Sequence, residues 1–158
     1  MHNAVMRIVR ALQVACLFVL CAGSSGCGDG SDAGVDNATL SYEITIRVTD
    51  DVGTLGALQF EVVYTGDSGG WAGFGDTVAC EALTEGLAAA NHFRGKLKIG
   101  LVSLQGIPTP GDVVKCIFRT HDTLDADDFE VEVTDASTLE TDPLPAPPRM
   151  AVTGVEPI

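Results

Sequence analysis

The ten residues Leu55–Tyr64, LGALQFEVVY, constrain this chain more than any other stretch. From Leu58 on, apolar and polar residues alternate, so Leu58, Phe60, Val62 and Tyr64 fall on one side and Gln59 and Glu61 on the other. A two-residue period is that of a β-strand with one buried and one wet face.

The pattern recurs along the chain. Leu40–Val48 sets Tyr42, Ile44, Ile46 and Val48 against Glu43, Thr45 and Arg47, and Lys96–Val102 turns Leu97, Ile99 and Leu101 inward. Asp112–Thr120 and Phe129–Thr134 read as further strands, Gly75–Glu81 re-enters a sheet through Val78 and Cys80, and Arg149–Val155 closes the set. Turn chemistry separates them: Asp50–Gly53, the Gly-rich Gly66–Gly70, and Gly106–Gly111 (GIPTPG) with two prolines. Ala82–Ala90 is the one stretch expected to make a helical turn. Strands this numerous, with hardly any helix, predict an all-β antiparallel β-sandwich over residues 39–156.

Residues 1–27 read differently. Arg7 and Arg10 precede an apolar run from Ala11 to Gly23, and Ser25-Gly26-Cys27 follows. This is the pattern of an export signal helix, too short to span a bilayer stably. Ser25-Gly26-Cys27 resembles a bacterial lipoprotein cleavage site, which implies lipidation of Cys27 and a lipid-anchored place in the cell envelope. Secretion after cleavage near Ala22 or Gly26 is the alternative. Residues 28–38, rich in Gly, Asp and Ser, are expected to be a flexible acidic tether.

Charge narrows the partners. The chain has 9 basic and 22 acidic residues; loss of Arg7 and Arg10 with the leader leaves 7 against 22, a formal charge of −15. That balance disfavours nucleic acid, and leaves a lipid anchor as the only expected link to a membrane. Of 5 cysteines, Cys80 and Cys116 alone fall in the sandwich. Each shares an alternating face with apolar neighbours, so the two are expected to form an inward structural disulfide.

The succession Gly56–Tyr64, Gly95–Leu101 and Pro110–Phe118 resembles the cohesin family and its relatives in the carbohydrate-binding-domain superfamily. The resemblance implies a jelly-roll-like sandwich that binds through a sheet face. The chain departs from the family at Thr65-Gly66-Asp67, where cohesins have Asp-Pro, and in its cysteine pair.

Candidate chemistry is sparse. GDSGG at Gly66–Gly70 matches the string around a trypsin-like nucleophile, but no histidine other than His2 precedes Ser68, and the domain is too short for two barrels. Four aspartates between Asp122 and Asp128 lack the glycine and spacing of an EF-hand loop, and the histidines are not placed for zinc. No enzyme, metal or cofactor is expected. Lys96 and Lys98 point outward from one strand, and Lys115 and Arg119 from the next; if the two strands pair, they form a basic patch able to dock an acidic partner. The expected function is protein–protein adhesion at the cell surface. The alternative is carbohydrate binding, with Trp71 and Phe74 stacking on sugar rings from their Gly-rich loop.

Overall fold

A computed structural model describes residues 39–74 and 77–158. The expected export signal, Cys27 and the expected tether lie outside the described residues. Eleven strands follow in order: β1 Leu40–Val48, β2 Leu55–Tyr64, β3 Gly70–Trp71, β4 Gly73–Phe74, β5 Thr77–Val78, β6 Cys80–Ala82, β7 Leu87–Phe93, β8 Lys96–Ile107, β9 Gly111–Thr120, β10 Phe129–Thr138 and β11 Met150–Pro157. They form two antiparallel sheets. One has five strands, ordered β11-β1-β9-β3 with β6 also on β9; the other has six, ordered β10-β2-β8-β7-β5-β4. The antiparallel sandwich is the fold the alternation predicts.

β2 is the middle of the second sheet's core. Leu58, Phe60 and Val62 stand opposite Leu101, Ile99 and Leu97 of β8, and opposite Ala136, Val133 and Val131 of β10. The facing sheet contributes Ile44, Ile46 and Val48 from β1 and Val114, Cys116 and Phe118 from β9, all buried. Each large apolar side chain so buried contributes about 1.5–3 kcal/mol. The strand-opening Gly56 is required by packing, because a Cβ there would collide with the carbonyl oxygen of Thr138.

Ala82–Ala90 is not a helical turn. Its second half belongs to β7, which pairs with β8 from Leu87↔Val102 to Phe93↔Lys96. Alanine favours helix by propensity, but two turns override it. Arg94 and Gly95 both have positive φ, 52° and 80°, as a two-residue hairpin of the primed type requires. Gly86, at φ 147°, bends the entering chain against the Val102 carbonyl, where no side chain fits. The only helical element among the described residues is a 3-10 turn at Ala126–Asp128.

Pro108–Pro110 carries the chain from the six-stranded sheet into the five-stranded one, through a cis Thr109–Pro110 bond. The Thr109 hydroxyl accepts the Val52 amide at 3.0 Å and donates to the Gly53 carbonyl at 2.5 Å, tying this crossover to the β1–β2 turn. β8 and β9 therefore belong to different sheets.

Candidate functional site

That crossover dismantles the basic patch. Lys96 and Lys98 leave the outer face of the six-stranded sheet, whereas Lys115 and Arg119 lie on β9 in the other sheet. The lysines are also engaged locally: Glu61 receives Lys96 at 2.7 Å and Lys98 at 2.6 Å, and Glu43 receives Lys115 at 2.5 Å. Arg119 alone of the four makes no ion pair among the described residues. The expectation failed because alternation reports which side of a strand is wet, not which strand lies beside it.

The hydrogen bond from Lys96, followed by that from Lys98, holds the Glu61 carboxyl below its ordinary value of 4.5, against a smaller opposing effect of desolvation. Arg149 depresses Asp50 in the same way. A carboxyl depressed in the folded state stabilises the fold above the unfolded value, and that contribution is lost as pH falls through the folded one. Glu61→Gln should therefore flatten the decline in melting temperature below Glu's ordinary 4.5, as read by thermal unfolding of both proteins across an acid series.

Trp71 is not an exposed peg. Its ring meets Phe118 edge-on at 5.1 Å and Phe129 at 5.8 Å, while Tyr64 packs on Phe118 at 4.8 Å, so one end of the sandwich is closed by four aromatic rings. Burial raises the Tyr64 phenol above its ordinary value. Phe74 is 93% exposed on β4 of the six-stranded sheet, whereas Trp71 lies on β3 of the other sheet, so the two do not share one strand face. Ser68 donates to Asp122 Oδ2 at 2.5 Å, and its carbonyl accepts from the Thr120 hydroxyl at 2.9 Å. GDSGG thus fastens the β2–β3 loop to the acidic loop. Within that loop Asp128 accepts the Asp125 amide at 2.7 Å, capping the 3-10 turn. Among the described residues no three His, Cys, Asp or Glu side chains converge. Cys80 and Cys116 are bonded, directly opposite each other on β6 and β9.

The most unusual surface is the outer face of the six-stranded sheet. Pairing places its outward residues in rows across the strands: Glu132, Glu61, Lys98 and Asn91; then Asp135, Gln59, Gly100 and Ala89; then Ser137, Ala57, Val102 and Leu87. Charge occupies one half. The other half is aliphatic, with Leu87 79%, Val102 51% and Leu104 92% exposed around one open groove of ≈480 Å³. Leu139 adjoins them across a second groove of ≈250 Å³ lined by Val102 and Leu104.

Sequence reasoning missed Val102 and Leu104 for a simple reason. Ending the strand at Val102 hid the fact that its alternation continues through Leu104 in KLKIGLVSLQGI. With Leu97, Ile99 and Leu101 inward, Val102 and Leu104 must face water, where a wet strand face normally carries polar residues. That violation was the available signal.

Fold and surface together define a class: an all-β, disulfide-stapled antiparallel sandwich with one aliphatic outer face. Compared with protein-family models, with curated proteins and with solved structures, the chain returns no match.

Proposed function

We propose that this is a non-catalytic, cohesin-like adhesion module of the bacterial cell envelope, lipid-anchored through Cys27 or secreted, which holds a protein partner on the outer face of its six-stranded sheet. The observation that carries the reading is the aliphatic cluster of Leu87, Val102 and Leu104 on neighbouring strands. Contiguous exposed apolar surface rimmed by polar residues is characteristic of interaction sites. The disulfide supports an oxidising compartment outside the cytoplasm.

The double variant Leu87→Asp/Leu104→Asp tests this. Both side chains are exposed, so the fold should tolerate the change within about 0.5 kcal/mol. Quantitative capture from the producing cell's envelope should fall at least about tenfold relative to the unaltered protein, because two carboxylates would have to be desolvated at the contact. Recovery of the same proteins in the same amounts by both forms would overturn the proposal.

A further inference from the structure

Gly100 lies mid-strand in β8, facing outward between Lys98 and Val102, with Gln59 and Ala89 beside it in register. Nothing in the fold requires a glycine there. Its φ is not among the positive ones, and an added Cβ would meet only Gln59 Cγ, at an ordinary 3.9 Å. Gly56, Gly73 and Gly86 differ, since a Cβ on any of them would run into a backbone carbonyl. A glycine inside a strand weakens it, and one of its recurrent uses is to let another chain or ligand approach closely.

What the missing side chain leaves is a trough of ≈400 Å³ across the sheet, floored by Gly100 and Ala89. Asn91, Lys98 and Glu61 form one side, the Gln59 side chain lies in the floor row with Thr134 beyond it on β10, and Leu87 and Val102 stand in the adjacent row on the other side. Lys98 and Val102 are four residues apart, about 13 Å along the strand before side chains are counted, which admits an extended chain but not a helix about 10–12 Å across. From β7 to β10 the trough crosses three strand spacings, about 14 Å, or roughly four extended residues. At the β10 end, Glu132 and Asp135 make no ion pair among the described residues.

We infer that the trough takes an extended peptide segment of the partner, with an aliphatic side chain against Leu87 and Val102 and a Lys or Arg toward Glu132 and Asp135. The Asn91 and Gln59 amides supply donors and acceptors for its backbone. A glycan fits less well, because neither exposed aromatic of this sheet stands over the floor: Phe93 lies two residues beyond Asn91, and Phe74 lies two strands beyond Asn91 in the same row. The inference rests on the reading of this face as the binding surface and specifies what lies on it.

The test uses the full chain and an array of synthetic decapeptides in which Leu, Ile or Val is flanked by Lys or Arg, beside Glu-flanked decapeptides and a glycan array. The unaltered protein should bind the basic aliphatic set. Gly100→Val should bind it at least tenfold more weakly while melting at the same temperature or higher. Gly100→Ala, which adds one carbon, provides the same comparison if the valine form is less stable. Equal binding by a folded Gly100 variant, equal binding of Glu-flanked peptides, or glycan binding alone would each overturn the inference. If Leu87→Asp/Leu104→Asp loses envelope capture and Gly100→Val does not, the trough fails and the adhesive face stands; if neither loses it, both fail.

Discussion

Phe118→Ala should lower the unfolding free energy by about 3–5 kcal/mol, the cost of deleting a buried phenylalanine ring and leaving its cavity. Phe118 is 1% exposed and sits among Tyr64, Trp71 and Phe129, with ring centroids 4.8, 5.1 and 5.4 Å away. Little can collapse into the space. Trp71 is held by its strand pairing with Phe118 itself, and Gly69, whose missing side chain makes room for the Phe118 ring, has none to contribute. Denaturant titration should show a lower midpoint at unchanged slope. Because the chain has one Trp, and it lies against the deleted ring, its emission should shift red before unfolding begins. A loss below 1 kcal/mol would mean that the four rings do not close this end of the sandwich.

Removing the disulfide should cost about as much. Cys80 and Cys116 are separated by 36 residues, and the chain-entropy relation assigns roughly 4 kcal/mol to a closed loop of that length. The loop contains the whole of β7 and β8, so the bridge limits the unfolded freedom of two strands of the six-stranded sheet. It also fastens β6, only three residues long, to β9. Cys80→Ala/Cys116→Ala should therefore melt well below the bridged form and exchange the Cys80–Ala82 amides early, while the β1–β9 and β2–β8 pairings stay protected. Similar melting temperatures with and without the bridge would show that β6 is held by packing alone.

The sandwich was legible because its core strands each carry their own evidence. Leu40–Val48 and Leu55–Tyr64 form over the lengths their alternation defines, and the inward cysteines meet as their apolar neighbours imply. Boundaries were less legible: β10 runs to Thr138 and β8 to Ile107, where outward apolar residues and small bulges weaken the period. β7 was hidden altogether. Its alanines have no strand preference, and only pairing with β8 through the Arg94-Gly95 turn makes them extended. The proposed binding face was least legible of all, because it depends on which strands are neighbours. The four basic residues look equivalent in sequence and separate onto two sheets, whereas Leu87, Val102 and Gly100 are far apart or unremarkable in sequence and adjacent in the fold.

The outer face of the six-stranded sheet is the centre of this account, and an amide-resolved NMR footprint tests it most directly. Resonances of the isotopically labelled protein would be followed as the best-binding basic aliphatic decapeptide is added. Shifts should concentrate at Leu87, Ala89, Asn91, Gly100, Val102 and Leu104, and leave Glu43, Lys115 and Arg119 on the opposite sheet unmoved. Shifts centred on Glu43, Lys115 and Arg119, or on the Phe74 hairpin, would contradict the assignment of the binding face.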